Sequence, residues 1–404
     1  MHAMRLEVTE EIPASADIVI IGGGIVGAAT SMFAAKVGLK AVVLERRPAL
    51  STLTTPASTG AFRLQFDNPE ELALVRETVG IFDDFAGVTG LEGYDIGIHH
   101  QGYLFCTTDE ATIARQKALL ARQQSWGLAD VEWLSGDEAR VRFPYLSPDV
   151  VGARWRAGDG WLDVRKLAAG YALAAQVIGG AEFVVNAEVI GFEMDAGEIT
   201  GVRTSRGDIK SRIVVIAAGP FSGVVGAMAE VDIPLNLVRR QKMVMPDVPE
   251  VPQDAPMTID EDTGAHWRPA LRGAFCLRTV PGVPPGPPLD DVPISADFAF
   301  GLLDPLSYYA LARISPFWRG VWERGTAHWM LQAGQYAYSV DHRPYLGTTG
   351  VPGLFVNCGY SGHGIMTSGA GSRIVVDAIT GQLKAEDNPF RLERDVVERE
   401  HDVL

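Results

Sequence analysis

Three glycines near the start of the chain have the spacing of a phosphate-binding turn. Gly22, Gly24 and Gly27 follow the apolar run 17–21 and precede a pattern that predicts a helix over about 25–37. In such a strand–turn–helix, the first glycine permits the tight turn, the second lets a pyrophosphate approach the backbone, and the third lets the helix pack closely on the strand. The helix N-terminus offers free N–H groups to the phosphates. The pattern predicts a dinucleotide site, and an ordinary tight turn is the alternative.

Glu45 ends the next predicted strand, over residues 41–44. Its spacing from Gly27 is close to that at which an acidic side chain accepts hydrogen bonds from an adenosine ribose. A carboxylate there also disfavours a 2′-phosphate, because two negative charges would meet, although Arg46 and Arg47 follow directly and weaken that exclusion. The motif by itself leaves NAD and FAD as open alternatives.

Composition excludes several classes of protein. The chain has 404 residues, 47% of them apolar, which predicts two or three folded domains rather than a disordered protein. A net charge of −15 makes nucleic acid and anionic membrane surfaces poor partners. Three scattered cysteines favour a reducing compartment over a disulfide framework or a zinc site. Residues 1–16 do not resemble a signal peptide and no apolar run approaches the ~18 residues of a membrane span, so we expect a cytoplasmic protein.

Further elements must position these residues. A second buried strand over 212–219 ends in small residues and fits the same sheet as the first. The pattern also predicts an antiparallel ribbon over 183–203, a turn over 160–163 with a helix over 164–177 after it, an extended proline-rich loop over 280–288 and an apolar helix over 298–324. Near the C-terminus it predicts a strand over 353–358, a glycine-rich segment over 359–364 and a helix over 365–380.

Several motifs occur in an order that resembles a known family. Besides the glycine motif, they are the segments 160–163, 217–219, 334–347 and 359–364. The series resembles the D-amino-acid-oxidase-type FAD-dependent oxidoreductases, and within them the sarcosine oxidase, glycine oxidase and proline dehydrogenase β-subunit branch. The most specific part is the block Ser361-Gly-His-Gly364 paired with Asp341-His-Arg-Pro344.

The resemblance implies an α/β protein in which a Rossmann-like FAD-binding domain joins a second, α+β substrate domain built on a mixed β-sheet. The FAD-binding domain would contain residues 16–85, 151–230 and 336–385, and the substrate domain 86–150 and 231–335. The cofactor would be FAD. For Val189 an ordinary core position is the alternative. The residues implied to contact FAD are Gly22, Gly24, Ile25, Val26, Gly27, Glu45, Arg46, Thr59, Gly60, Gln65, Val189, Ala218, Gly219, Gly362, His363, Gly364, Ile365 and Met366.

The glycine-rich segment before the last helix has a physical reason of its own. Reduction of a flavin places negative charge at N1 and O2, and a helix N-terminus aimed there stabilises it. Gly362, Gly364 and Ile365 would start such a helix, and a turn without a ligand is the alternative. His363 is a catalytic candidate for contact with substrate or proton transfer, with a structural hydrogen-bond donor as its alternative.

Arg63 is the main candidate for substrate. The stretch 59–66 resembles the family segment along the flavin, and the resemblance implies that Arg63 binds an amino-acid carboxylate. Its planar guanidinium suits a carboxylate bidentately. The alternative is a surface ion pair of Arg63 with Asp67 or Glu70.

A second group of candidates comes from the segment 264–269. His266, Trp267 and Arg268 would cover the substrate over the flavin face, His266 as a catalytic candidate; the alternative is a core tryptophan and a surface arginine. Tyr336 and Tyr338 alternate, so one of them, taken here as Tyr336, would face the substrate. The turn that follows is predicted to be structural and contains Asp341, His342 and Arg343.

The chain departs from the sarcosine-oxidase pattern at three positions. Met366 replaces a lysine that contacts the carboxylate, so a bulkier or less acidic amine would contact Met366. Gly334 replaces the cysteine that attaches the flavin, so FAD would be non-covalent. Leu277 replaces the oxygen-activating lysine, by a gapped match, which favours a dehydrogenase over an oxidase.

The sequence therefore predicts an FAD-dependent oxidase or dehydrogenase that oxidises the CH–NH bond of an amino acid or secondary amine. A hydride would pass to flavin N5 and give an imine that water hydrolyses. Oxygen or an electron carrier would reoxidise the flavin. The alternatives are an NAD enzyme, an FAD enzyme oxidising a hydroxy acid, and a non-catalytic or electron-transferring flavoprotein subunit of a larger complex.

Overall fold

The elements were defined in a computed structural model, which describes residues 5–325 and 328–396. The strands, in chain order, are β1 (Ile18–Ile21), β2 (Ala41–Leu44), β3 (Ala61–Phe62), β4 (Tyr103–Thr107), β5 (Glu132–Ser135), β6 (Gly152–Arg156), β7 (Gly160–Trp161), β8 (Glu182–Val184), β9 (Val189–Asp195), β10 (Glu198–Thr204), β11 (Gly207–Lys210), β12 (Val214–Ile216), β13 (Asn236–Met245), β14 (Met257–Asp260), β15 (Ala265–Ala270), β16 (Gly273–Arg278), β17 (Met330–Tyr338), β18 (Tyr345–Thr348) and β19 (Leu354–Cys358). The helices are α1 (Ile25–Lys36), α2 (Thr54–Ala57), α3 (Pro69–Asp83), α4 (Phe85–Thr89), α5 (Glu110–Ser125), α6 (Gly136–Arg142), α7 (Val164–Gly179), α8 (Ser222–Ala227), α9 (Ala296–Leu303), α10 (Phe317–Glu323) and α11 (Gly364–Ile379).

The glycine-rich turn follows the central strand of a six-stranded sheet, in the order β18-β19-β12-β1-β2-β8. Its strands are parallel except β18, and β1 has β2 on one side and β12 on the other. All four residues of β1 are buried, which is why it reads as a continuous apolar run. The ribbon β9-β10-β11 contributes to the core on one face, and α1, α7 and α11 contribute to the core on the other. The predicted strand over 212–219 is therefore confirmed, beside β1.

An eight-stranded mixed sheet forms the second half of the molecule, in the order β17-β13-β16-β15-β14-β4-β6-β5. The pair β14–β4 is parallel and its other pairs are antiparallel. The α/β fold class, with a Rossmann-like part and a mixed-sheet α+β part, is confirmed. The sequence placed β6 in the FAD-binding domain and ended the substrate part at residue 335, whereas β6 and all of β17 join this sheet.

The register defines what we call the cleft face of this sheet. His266 lies opposite Leu277, and Leu277 lies opposite Lys242 on β13. Opposed residues project from the same face of a sheet, so these three side chains share one face. The Lys242 Nζ donates to the carbonyl oxygens of Pro56 and Ser58, both at 2.8 Å, so this face meets the segment that follows β2.

Two predicted elements were wrong. The helix between Phe298 and Arg324 is two short helices, α9 and α10, because Pro305 and Pro316 interrupt it; Asp304, before the first proline, has extended backbone (ψ 116°). The segment 160–163 is not a turn, since β7 pairs with β3. A Cβ on Gly160 would lie 1.9 Å from the His99 carbonyl oxygen, so this glycine permits close contact of two backbones.

Candidate active site

The glycine motif has the predicted geometry. Gly22 has φ +115°, and a Cβ there would lie 2.5 Å from the Ala217 carbonyl oxygen of the neighbouring strand end. A Cβ on Gly27 would lie 1.9 Å from the Gly22 carbonyl oxygen, so α1 packs directly on the turn. At Gly24 the nearest atom to a Cβ is Thr55 Oγ1, at 3.6 Å, which leaves space for a ligand against the backbone.

Helices α1 and α11 both begin at one cavity without a capping side chain. Their N-cap residues are Gly24 and His363, and neither first turn contains an acidic residue. In contrast, the N-cap side chains of α3, α5, α6 and α7 accept hydrogen bonds from their first turns. An uncapped N-terminus keeps free N–H groups and the positive end of the dipole for an anion. The start of α1 suits phosphates, although Ile25 N also donates to Thr55 Oγ1.

The cavity extends from the end of β2 to the start of α11. Glu45 lies in its wall, and its carboxylate accepts from Gly23 N at 2.8 Å and from Arg47 N at 2.9 Å. The Arg46 guanidinium lies over the Phe221 ring. Thirteen predicted residues line this cavity: Gly22, Gly24, Ile25, Val26, Glu45, Arg46, Val189, Ala218, Gly219, Tyr336, Gly362, Gly364 and Ile365.

A glycine-rich turn and two uncapped helix N-termini at one cavity are the features expected of a site for an extended dinucleotide. A family model of FAD-dependent oxidoreductases, the DAO family, matches residues 17–378. The chain belongs to the DAO family. FAD is therefore its cofactor.

The DAO-family relatives differ in how much of their length this chain covers. It is 27% identical to human mitochondrial sarcosine dehydrogenase over 89% of this chain and 39% of that protein. It is 24% identical to the sarcosine oxidase subunit beta of Arthrobacter sp over 97% of this chain and 94% of that protein. The solved structure of L-proline dehydrogenase from P. horikoshii superposes with a TM-score of 0.80 at 26% identity, covering 95% of this chain and 96% of that one.

Arg63 is buried and lies beside the cleft face. Its guanidinium carbon is 5.0 Å from the centre of the Phe66 ring, 5.8 Å from that of Phe105 and 6.0 Å from that of Tyr103. Burial raises the pKa of Tyr103 to about 12 although the charge of Arg63 and a hydrogen bond with it oppose the shift. Only 6% of Arg63 is exposed, so the side chain is not on the surface.

His266 lies on the cleft face as an uncharged imidazole. Burial, together with the charges of Arg63 and Arg240, lowers its pKa to about 4, although a hydrogen bond with Gly264 opposes that shift. The Nδ1 atom is 2.9 Å from the Gly264 carbonyl oxygen, which can only accept, so Nδ1 carries the proton. The lone pair of Nε2 is then available as an acceptor.

Tyr336 connects the two sheets at the flavin end of the cavity. A Cβ on Gly362 would lie 2.5 Å from Tyr336 Cε2, so the ring packs against the glycine-rich segment. Burial, the Tyr338 hydroxyl and other neighbours raise the pKa of Tyr336 to about 12, while Arg240 and Arg63 oppose the shift. Tyr336 and Tyr338 project from the same face, because they are two residues apart on β17. The sequence-based expectation that only one faces the pocket is therefore corrected.

Trp267 and Arg268 have other contacts than predicted. Trp267 projects from the opposite face of β15, is fully buried among Tyr145, Phe317 and Trp318, and cannot cover a substrate on the cleft face. Arg268 is on the cleft face, but its Nε and Nη2 both donate to the Thr59 carbonyl oxygen, at 2.8 and 2.5 Å.

Six predicted FAD contacts are not among the residues that line the cavity: Gly27, Thr59, Gly60, Gln65, His363 and Met366. Gln65 is fully buried and bonds to Asp159 and Arg154. His363 packs against Phe66 and its Nδ1 is 3.3 Å from Glu71 Oε1, while Met366 is buried in the core around α11. The predicted catalytic role of His363 stays a prediction, with these contacts favouring the structural alternative.

The sequence analysis did not predict two positively charged residues of the cleft face. Lys242 is buried on β13 opposite Leu277, and Arg240 is two residues earlier on the same face. Their signal was present: charged residues at two alternate positions, 240 and 242, of a strand that is apolar after them. The sequence could not show that this strand borders the cleft.

Proposed function

We propose that this chain is an FAD-dependent amine or amino-acid oxidoreductase that oxidises a CH–NH bond to an imine, which water hydrolyses. The observation that carries the proposal is that buried Arg63 lies beside the cleft face from which uncharged His266 and Tyr336 project, and that Tyr336 packs against the predicted flavin segment at Gly362. When bound, FAD supplies the acceptor for the hydride, at N5. The protein binds and orients the substrate.

Arg63 would hold the substrate carboxylate. Its aromatic surroundings exclude water and strengthen a charged contact, while the hydrogen bond with Tyr103 fixes the guanidinium. An oriented carboxylate places the adjacent C–H and nitrogen in one defined position, which lowers the entropic part of the barrier.

His266 would accept a hydrogen bond from the substrate nitrogen. Burial and two nearby guanidinium groups keep the imidazole neutral, and the same environment disfavours an ammonium group. The substrate would therefore react as the neutral amine, which retains the nitrogen lone pair needed to form the imine.

The names of the relatives support this class of substrate, since they refer to sarcosine and proline. This chain covers 94% of the sarcosine oxidase subunit beta, a protein that is named as a subunit. That coverage favours a second candidate function, a flavoprotein subunit of a larger dehydrogenase complex. The two candidates differ in whether the purified chain reduces its own flavin with a substrate.

The test is an anaerobic mixture of the purified yellow protein with amines and amino acids, in which loss of flavin absorbance is followed. We expect bleaching by one group of related amines and no bleaching by the corresponding hydroxy acids. Bleaching by hydroxy acids alone would contradict the proposal, and no bleaching by any amine would favour the subunit.

Reoxidation distinguishes an oxidase from a dehydrogenase. Because Met366 and Leu277 replace two lysines of the related oxidases, we expect slow reoxidation by oxygen and faster reoxidation by an artificial acceptor. Lys242, opposite Leu277, leaves one lysine in the cleft but binds two backbone carbonyl groups. Rapid, stoichiometric formation of peroxide in air would overturn this expectation.

A further inference from the structure

Arg240 is a second arginine on the cleft face, and its position does not follow from the family motifs. Its Nη2 donates to the Val280 carbonyl oxygen at 3.0 Å and to the Tyr338 hydroxyl at 3.2 Å, both uncharged partners. Its Nε is buried and has no acceptor among the described groups. A buried guanidinium N–H without an acceptor costs free energy, which an anionic ligand would recover.

Arg240 and Arg63 lie on opposite sides of His266 in the order of the strands. Arg240 is on β13, which β16 separates from His266 on β15. On the other side, β14 separates His266 from β4, whose Tyr103 and Phe105 rings contact Arg63. The outer strands are four strand spacings apart, about 19 Å, and long arginine side chains shorten that span.

Arg240 reaches the end of β15 at which His266 lies: its Nη2 donates to the carbonyl oxygen of Val280, the neighbour of Thr279, whose N–H donates to the same Gly264 carbonyl oxygen that His266 Nδ1 contacts. After burial, the charges of Arg63 and Arg240 are what lower the pKa of His266, and the two charges also act together on the Tyr336 hydroxyl. The other cleft-face cations are engaged elsewhere, since Lys242 and Arg268 bind the carbonyl groups of residues 56, 58 and 59.

We propose that Arg63 and Arg240 form a two-cation pocket and that the substrate carries two anionic groups, one for each guanidinium. The class is an amino dicarboxylate or an amine whose nitrogen carries a second carboxylate-bearing arm. This inference rests on the proposed function, because it assigns the substrate class of the same site. The reacting C–H and nitrogen lie between the two anions, next to His266.

The test compares unreactive acids of equal length on the FAD-containing protein. Butanoate and succinate form one pair, pentanoate and glutarate another, and binding is read from the perturbation of the flavin absorbance. We expect a dicarboxylate to bind about 10- to 100-fold more tightly than its partner, the range for one added hydrogen-bonded charge. Equal affinities within both pairs would overturn the proposal.

Arg240→Gln should remove this preference, because it should weaken binding of the dicarboxylate more than binding of the monocarboxylate. Arg240→Lys should keep part of it, and it provides the same test if the glutamine variant folds poorly. The matched control is Arg239→Gln, because Arg239 is exposed, projects from the other face of β13 and donates to the Pro293 carbonyl oxygen. A preference that survives Arg240→Gln and Arg240→Lys, or that disappears in Arg239→Gln, would contradict the inference.

The two proposals fail in distinguishable ways. If monocarboxylic amines bleach the flavin and dicarboxylates show no advantage, the function stands and the two-cation pocket falls. If dicarboxylates bind through Arg240 but no amine bleaches the flavin, the pocket stands and the catalytic function falls.

Discussion

Arg63 should be the anchor of the reacting carboxylate. Removing one partner of a buried charge pair costs about 2–4 kcal/mol of binding free energy. Arg63→Ala should therefore raise the substrate concentration needed for half-maximal flavin reduction by the factor that corresponds to this loss. Arg63→Lys should recover only part, because an ammonium cannot bind bidentately. Stopped-flow flavin reduction in the three proteins measures this. Equal affinity and rate in all three would remove Arg63 from the site and leave Arg240 as the next cation, since Arg268 is engaged by Thr59.

Lys242 should make stability depend on pH in a defined direction. Burial and the charge of Arg268 lower its pKa to about 7, from the usual 10.5. The unfolded chain therefore holds a proton between pH 7 and 10.5 that the folded chain has lost, and stability rises with pH in that window. Relative to wild type, the free energy of unfolding of Lys242→Met should be most favourable below pH 7, and this advantage should decrease progressively up to pH 10.5.

Urea unfolding at several pH values tests this difference. The control is Lys36→Met, because Lys36 also donates to a backbone carbonyl, that of Val88, but is exposed. A stability difference for Lys242→Met that does not change with pH, or that changes equally for Lys36→Met, would contradict the assignment.

Residue types and spacing were enough to predict the strand, glycine-rich turn and helix at 18–36, because these elements have strong local sequence signals. They were not enough to separate His266 and Arg268 from Trp267. The alternation of side chains along β15 put Trp267 on the other face, and only the pairing with β16 defines which face borders the cleft. Lys242 and Arg240 were missed for the same reason.

At the scale of elements, the C-terminal segment is fastened to the FAD-binding half by a buried ion pair. Arg394 Nε and Nη2 donate to the two oxygens of Asp341, at 2.8 and 2.6 Å. Burial would raise the pKa of this carboxyl, but Arg394 and Arg343 outweigh burial and hold the pKa well below its usual range. The turn at Asp341 is thus structural, as the sequence indicated.

Arg394→Ala should cost about 3–5 kcal/mol of unfolding free energy at neutral pH, because it leaves a buried carboxylate with one cation fewer. The cost should decrease as the pH falls through the acidic range, where Asp341 becomes protonated in the variant. Arg391→Ala is the control, since among the described residues the Arg391 side chain donates to the Asn388 carbonyl oxygen and to no carboxylate. Equal urea midpoints for the two variants would show that the ion pair contributes nothing measurable.

Elements with local signals were predicted well, and those that depend on distant partners were not. Helix α11 and strand β19 lie within about one residue of their predicted bounds, because a glycine-rich segment separates two clear periodicities. Strand β7 was taken for a turn because its two residues become a strand only by pairing with β3. The two prolines in 298–324 were visible, but the apolar composition was given more weight than their effect on the backbone.

At the scale of the whole molecule, we expect FAD to be held without a covalent bond. Gly334 replaces the attachment cysteine of the related enzymes. Cys358, which lines the cavity, is a poor nucleophile because burial raises its thiol pKa to about 12. Acid precipitation should release all of the yellow colour into the supernatant. Colour retained in the pellet would identify a covalent bond, and Cys358→Ser would then show whether this thiol forms it.

Among the described residues, no helix is long and apolar enough to cross a bilayer.

The short segment 54–60 is held by both halves at once. Lys242 and Arg268 of the mixed sheet bind its carbonyl groups, and its Thr55 hydroxyl accepts from the first N–H of α1 at the phosphate turn. We therefore expect cofactor binding to be coupled to the alignment of the two sheets. We expect the holoprotein to melt in one cooperative transition and the FAD-free protein in two, because the bound dinucleotide would add to the contacts that this segment and Tyr336 make between the two halves.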